Sequence, residues 1–451
     1  MPTETGDCPK VAAVTLGCKV NQYDTEAVLE SFAARGFKVV PAEEEADAYL
    51  INTCTVTNVA DKKSRQLVRK IIREHPDAVV AVFGCYTQTQ PEKIEAIPGV
   101  SIVVGTQRRA ELVDLVTEAL EAKGKAPLKN LVEPFKRPGF EELVVSNFGE
   151  KVRAVLKIQE GCQQFCAYCK VPYARGPERS REVEAVLATA ENLIAEGYKE
   201  IVLTGIHLAS YGRDLEPATS LLEISQKIAD LPGLARLRLS SIEPTDVSQG
   251  LLELITQHPV VCAHLHLPLQ SGSDTVLRRM RRKYTTKEYL KIVEDARALN
   301  PDVGVTTDVI VGFPGETDEE YAETVAFVKE VGFSRLHVFP YSRRSGTPAA
   351  KMPGQIPASV KNRRSQELIQ VGQELAAAFH RRYIGKSVSV LFEEVKEGLA
   401  KGYTENYIRI MANIEGVSDL DVVGSIRPVL LRESDAAGAR GDIVVDKEVT
   451  A

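Results

Sequence analysis

The 451-residue sequence lacks tryptophan altogether and holds few aromatic side chains, 14 Tyr and 13 Phe. That scarcity is ordinary for an α/β chain. No apolar run approaches the ~18 residues of a membrane-spanning helix, so no membrane association of that kind is expected. The opening MPTETGDCPK is polar and acidic where a secretory leader would be basic and then apolar. A reducing, cytoplasmic setting is therefore expected. There the eight cysteines do not make a disulfide framework, and spaced thiols read as metal-binding or catalytic. An excess of positive charge is missing too, the formal net charge being −6. This neither advertises nor excludes a nucleic-acid partner, because phosphate needs a local basic patch rather than a basic chain. Internal repeats and low-complexity tracts are absent.

What is present is alternation. Residues 9–125 alternate short apolar runs with amphipathic segments. VAAVTL, FKVV, AYLIN, AVVAVF and SIVV read as five buried strands, with helical patterns such as DKKSRQLVRKIIREH between them. This predicts a doubly wound parallel sheet. The stretch Lys123–Glu142 breaks the periodicity with three prolines and two glycines, and 126–147 reads as a linker. Residues 148–380 hold six further strand–helix units, predicting a partial (β/α)6 barrel with its active site at the carboxyl ends of the strands. An amphipathic helix over Pro357–Tyr383 closes that block. Residues 381–448 carry five short strand patterns without helices, predicting a small antiparallel β-barrel.

The stretch KIQEGCQQFCAYCKVPYARGPERSR, Lys157–Arg181, places Cys162, Cys166 and Cys169 at spacing C-x3-C-x2-C just past the first barrel strand. A zinc site wants four ligands, usually as two pairs, and here the local set stops at three with no histidine nearby. Three thiolates on a four-iron cluster leave one iron free to hold a small molecule. Three buried cysteines without metal are the alternative, and such tight clustering argues against it. With Tyr168 in the aromatic slot, the motif resembles the radical S-adenosylmethionine superfamily. The resemblance implies a [4Fe–4S] cluster whose open iron takes the amino and carboxylate groups of S-adenosylmethionine. An electron then cleaves the sulfonium to a 5′-deoxyadenosyl radical. It further implies cofactor contacts at other strand ends: Thr204 and Gly205, Ser241 and Glu243, Gln270 and Ser271, and Gly312. Residue type alone leaves these open, since glycines after strands are often turns and polar residues there often cap helices. His207, His264, His266 and His337 also sit on or near barrel strands, as ligands, acid/base groups or simply hydrogen-bonded side chains.

Cys18, Cys54 and Cys85 each follow an apolar run, at the carboxyl ends of predicted strands one, three and four. In a sheet of order 2-1-3-4-5 these strands are neighbours, and ligands bind outside such ends at the switch point. The alternative is a coincidence of three small buried residues. The phrases TLGCKVNQYDTE, INTCTVTNVADKKSRQ and FGCYTQ resemble the N-terminal domain of the methylthiotransferase family. The first two look most like the branch acting on threonylcarbamoyladenosine in transfer RNA. The resemblance implies a second [4Fe–4S] cluster on these three cysteines and a C-terminal barrel of the TRAM type. It implies that one S-adenosylmethionine methylates a sulfur, a second yields the radical, and a methylthio group replaces hydrogen at C2 of the adenine. It implies as partners a transfer RNA, a reductant such as flavodoxin or ferredoxin, and a sulfur donor. Cys8 and Cys262 read as tail and core filler.

Three stretches are candidates for RNA contact: Arg278–Lys283 with five basic residues, Ala60–Lys70, and Tyr403, Asn406, Tyr407 and Arg409 in the C-terminal unit. The basic runs read equally as solvated helix faces. Two rivals stand beside the main reading. One is the same chemistry on isopentenyladenosine in transfer RNA or on a ribosomal protein. The other is an iron–sulfur scaffold or electron carrier, which needs no open iron and no glycine-lined cofactor site.

Overall fold

The computed structural model describes residues 8–122, 128–131, 133–136, 139–149, 151–414 and 419–444. Its first unit is a six-stranded parallel sheet of order β2-β1-β3-β4-β5-β6. The strands are β1 (Lys10–Thr15), β2 (Lys38–Val39), β3 (Ala48–Thr53), β4 (Val79–Gly84), β5 (Ile102–Val104) and β6 (Leu128–Asn130). Helices α1 (Lys19–Ala34), α2 (Asn58–Glu74), α3 (Cys85–Thr89), α4 (Pro91–Glu95) and α5 (Leu112–Ala122) surround it. β3 and β4 are buried along their whole length because both faces are covered. Leu50, Ala81 and Phe83 pack with Phe32 and Leu112 on one side. Tyr49, Ile51, Val80 and Val82 pack with Val68 and Ile71 on the other.

The order contains the expected 2-1-3-4-5 and one strand more. β6, inside the stretch read as a linker, pairs in parallel with β5 from Leu128 to Asn130. A three-residue strand of sequence Leu-Lys-Asn carries no periodicity to betray it. Residues 123–127, 132, 137 and 138 of that stretch lie outside the described residues.

The second unit has six parallel barrel strands: β7 (Arg153–Lys157), β10 (Glu200–Thr204), β11 (Arg236–Leu239), β12 (His264–His266), β13 (Gly304–Val311) and β14 (Arg335–Pro340). They form two three-stranded sheets joined by a bridge between Leu237 and Val261. A short ribbon, β8 (Gln159–Glu160) with β9 (Arg179–Ser180), brackets the cysteine loop and helix α6 (Val171–Arg175). Helices α7 (Val183–Ala195), α8 (Leu221–Ala229), α9 (Gln249–Gln257), α10 (Asp274–Arg279), α11 (Thr286–Leu299), α12 (Asp318–Val331) and α13 (Ala358–Arg381) wrap the outside. α11 and α12 start with reciprocal caps, Thr285 with Glu288 and Thr317 with Glu320, which satisfy orphan backbone donors at both starts.

The third unit is a closed barrel of order β15-β16-β17-β19-β18, with β15 (Ser387–Lys396), β16 (Leu399–Tyr403), β17 (Arg409–Asn413), β18 (Ile426–Asp435) and β19 (Gly438–Ile443). Four pairings are antiparallel. The closing pair, β17 with β19, is parallel, and α14 (Asp419–Val422) precedes β18 in the chain.

This barrel caps the amino-terminal ends of the six strands. Arg236 Nη1 donates to Tyr403 O at 2.9 Å, and Arg238 Nη1 to Glu405 O at 2.8 Å. Tyr407 stacks on His264 with centroids 4.8 Å apart, and Asn406 Nδ2 donates to Tyr383 Oη at 2.7 Å. Tyr403, Asn406 and Tyr407 are therefore engaged in holding two units together rather than presented as a platform for bases. Arg409 alone of that group is exposed.

A crevice between two three-cysteine sites

The N-terminal unit sits over the opposite, carboxyl ends of the barrel strands. Asn58 Nδ2 donates to Arg343 O at 2.8 Å, Arg344 pairs with Asp61 at 2.8 Å, and Thr106 Oγ1 donates to Ala174 O at 2.7 Å. The ends of β1, β3 and β4 are thereby set against the barrel segment that carries Cys162, Cys166 and Cys169, with Arg175 reaching Cys85 and Asn21.

The backbone makes each loop. Gly161, ahead of Cys162, has φ +81, and a Cβ there would lie 1.8 Å from Pro177 O. The tight approach lets Cys162 N donate to Gly176 O at 3.0 Å. Gly84, ahead of Cys85, has φ +99, and a Cβ there would lie 2.4 Å from Asn52 Oδ1. Only glycine tolerates both demands. Cys18, Cys54 and Cys85 follow β1, β3 and β4, and Cys85 feels the charge of Cys18, as Cys54 feels that of Cys85.

Burial pushes the Cys54, Cys162 and Cys169 thiols up to about 12, and Cys85 also upward. Thiols in such places ionise only against strong positive charge, which cluster iron supplies. Among the described residues no fourth cysteine joins either set: Cys8 is exposed, and Cys262 is buried beside Arg238 and Glu200. Among the described residues the one rival ligand set is Cys162, Glu178 and His207, whose donor atoms lie within 4.8 Å of one another. The His207 ring, however, sits between Glu178 Oε1 at 2.7 Å and Asp246 Oδ2 at 2.8 Å. Burial works against its charge, yet the two carboxylates outweigh it and push it to about 9. Both ring nitrogens are taken by carboxylates, so neither is a free donor for a metal. Both donor sets thus suit a four-iron cluster with one iron free of protein.

Each set also has one buried guanidinium on sulfur. Arg175 Nε lies 3.2 Å from Cys85 Sγ, and Arg282 Nη1 lies 3.2 Å from Cys166 Sγ. Arg175 reaches across from the radical loop. It donates to Asp24 Oδ2 at 3.1 Å, Glu160 Oε1 at 2.6 Å and Asn21 Oδ1 at 2.7 Å. Lys157 Nζ binds the same two carboxylates at 2.5 and 3.2 Å, and Arg109 joins them. Burial opposes the ionisation of Asp24, but Arg109, Lys157 and Arg175 outweigh it and hold the carboxyl below its usual range. Sequence reading missed this network. Its trace in the sequence is the pair Lys157 and Glu160, charged residues that end β7 and β8.

The crevice itself is a cavity of about 260 Å³. Its wall includes Val56 and Thr57 from the loop after Cys54, Tyr168 and Cys169 from the radical loop, Gln270, and the ends of β13 and β14. Gln270 takes a left-handed conformation, φ 67. Other residues singled out from sequence stand around it. Ile158 N donates to Thr204 O at 3.0 Å, and Gly205 packs on Gln159. Glu243 pairs with Arg282 beside Cys166, while Ser241 is exposed. Gly312 N donates to Glu316 Oε2 at 2.5 Å. Ser271 is not brought to the crevice: it is fully buried with its hydroxyl 3.2 Å from Thr324 Oγ1 on α12. His264 and His266 share Thr306 Oγ1, and Asp308 accepts from His266 and His337.

The basic run Arg278–Lys283 divides. Arg279 pairs with Glu320 at 2.6 Å and Arg282 with Glu243, so neither offers a free charge to phosphate. Arg278, Arg281 and Lys283 remain exposed.

Residues 10–105 match the family model described as Uncharacterized protein family UPF0004, and residues 156–328 that of the Radical SAM superfamily. The chain is 44% identical over 447 residues to threonylcarbamoyladenosine tRNA methylthiotransferase MtaB of Bacillus subtilis, covering 98% of both chains. It is 36% identical to the protein of the same name from Thermotoga maritima, covering 96% of this chain and 97% of that one. To tRNA-2-methylthio-N(6)-dimethylallyladenosine synthase of Carboxydothermus hydrogenoformans it is 34% identical, covering 96% and 98%. Among solved structures, the radical S-adenosylmethionine methyltransferase TsrM from Kitasatospora setae superposes with a TM-score of 0.55 at 15% identity, covering 88% of this chain and 77% of that one. That last likeness is one of fold.

Proposed function

The chain belongs to the tRNA methylthiotransferase family, and on that premise we propose that it converts N6-threonylcarbamoyladenosine beside the anticodon into its 2-methylthio derivative. The observation that carries the reading is the crevice, whose wall is shared by the loop after Cys54 and the loop holding Tyr168 and Cys169. Cys162, Cys166 and Cys169 would hold one [4Fe–4S] cluster, and Cys18, Cys54 and Cys85 the other. When bound, the clusters supply one-electron cleavage of S-adenosylmethionine on one side of the crevice and a source of sulfur on the other.

The chain's own residues bind, orient and exclude water. Arg282 ties Glu243 to Cys166 and fixes the radical loop against the third strand end. Arg175 ties the same loop to Cys85. Tyr168, Gln270 and Ile310 wall a space for a planar base and the adenosyl group. The target base lies in a single-stranded loop and enters without melting a duplex. The division into 9–125, 148–380 and 381–448, with 126–147 between, belongs to this reading. So do a cytoplasmic setting, a flavodoxin- or ferredoxin-like reductant and a sulfur donor. No helix among the described residues is long and apolar enough to cross a membrane.

Mass spectrometry of transfer-RNA nucleosides tests the proposal. Cells lacking the protein should accumulate the threonylcarbamoyl nucleoside and lose its 2-methylthio form, and the purified protein should restore it. Loss of the dimethylallyl derivative instead would move the substrate to the other branch.

A further inference from the structure

Lys170, the residue after Cys169, is the one basic side chain on the wall of the crevice. Its ammonium lies 5.8 Å from the centroid of the Tyr173 ring, and a Cβ on Gly346 would be 3.0 Å from Nζ. Among the described residues no carboxylate pairs with it. The charges it feels are Arg344 and Asp61, and these are bonded to each other at 2.8 Å. Tyr341 lines the same crevice, but its hydroxyl is fully covered and its ring packs on Phe313, so it offers the crevice no donor. The one acid on the wall, Asp308, is committed to His266 and His337 at 3.4 and 3.2 Å. Val56, Val171, Ile310, Phe339 and Pro340 make most of the remaining wall apolar.

An ammonium with no carboxylate partner on the wall of a largely apolar crevice makes a receptor for a carboxylate. We propose that Lys170 holds the threonyl carboxylate of the substrate base and thereby sets the preference for it over an uncharged dimethylallyl group. The inference rests on the function proposed above. A second carboxylate, that of S-adenosylmethionine, has the same chemistry. Position favours the threonyl group, because the charged neighbours of Lys170 belong to the seam with the N-terminal unit. They are Arg344 and Asp61, not Arg282 and Glu243 beside Cys166. A substrate without the carboxylate leaves that ammonium unpaired, which is why a site of this kind rejects it.

The test uses the full chain with its clusters reconstituted and a 17-nucleotide anticodon stem-loop. The loop carries the threonylcarbamoyl base, the same base as its threonyl methyl ester, or plain adenosine. Fluorescence anisotropy should show the ester weakening binding to the unaltered protein about 10- to 100-fold, the range for a lost charged hydrogen bond. Lys170→Met should bind the acid as weakly as the unaltered protein binds the ester, and esterification should then change nothing further. Lys170→Arg should keep most of the discrimination, and Tyr341→Phe, which removes a hydroxyl sealed from the crevice, should keep all of it. Undiminished discrimination by Lys170→Met overturns the inference. So does weakened S-adenosylmethionine binding with RNA discrimination intact, which would give the carboxylate to the cofactor. If the unaltered protein binds all three loops alike, the proposed substrate itself is wrong and the inference falls with it.

Discussion

At each three-cysteine site a buried guanidinium donates to one sulfur, and the consequences for the two arginines differ. Arg175 is 1% exposed in its side chain and stands between Asp24 and Glu160. Replacing it by Met leaves two buried carboxylates short of a partner, which costs about 3–5 kcal/mol. Denaturant unfolding of the iron-free protein should show a midpoint lowered accordingly. An unchanged midpoint would mean that the network relaxes around the loss. Arg282 is different, because it contacts Cys166 and Glu243. Arg282→Gln should slow formation of 5′-deoxyadenosine even without RNA. Arg278→Gln with Arg281→Gln should leave that rate alone and flatten the salt dependence of transfer-RNA binding by about two units of slope, at roughly 0.7–0.9 per phosphate contact. A salt slope that stays put would make these two positions a solvated face. Sequence could not separate Arg281 from Arg282. Neighbours of equal charge in one basic run are told apart only by the direction each side chain takes, and Arg281 lies at φ 60 at the end of its helix.

Among elements, the strand ends carry the chemistry. The position of Cys18, Cys54 and Cys85 after neighbouring strands was legible because a thiol after an apolar run needs only strand order to be placed, and Cys162, Cys166 and Cys169 were legible as one local motif. β6 and the parallel closure of the C-terminal barrel were not legible, since both depend on pairing partners distant in sequence. Arg175 was hidden for a similar reason: it lies on α6 but works on Cys85 at the start of α3, 90 residues away. The two sets of strand ends should separate experimentally. With Cys162, Cys166 and Cys169 changed to Ala, anaerobically reconstituted protein should retain about four irons of about eight, as one four-iron cluster per set requires. Absence of iron from that variant would rule out the N-terminal site. With Cys18, Cys54 and Cys85 changed to Ala, cleavage of S-adenosylmethionine should persist while methylthiolated RNA is not formed. Product formed at the normal rate would remove the N-terminal site from the reaction.

At the scale of the molecule, two junctions hold three units. The C-terminal barrel is joined through Tyr407, which stacks on His264 and lies under Arg238 at 4.8 Å from the ring centroid. Tyr407→Ala removes that stack and should cost about 2–4 kcal/mol. Limited proteolysis should then cut between α13 and β15 faster than in the unaltered protein; equal rates would show that Arg236 and Arg238 hold the junction without it. The same cap has a kinetic meaning. Tyr403–Tyr407 cover the amino-terminal ends, and the crevice lies at the carboxyl ends. On the proposed function, a transfer RNA seated across that side would be a stopper, holding the spent nucleoside beneath it until the RNA lifts. Turnover is then a queue, and crowding it with RNA should slow the exchange of spent for fresh S-adenosylmethionine.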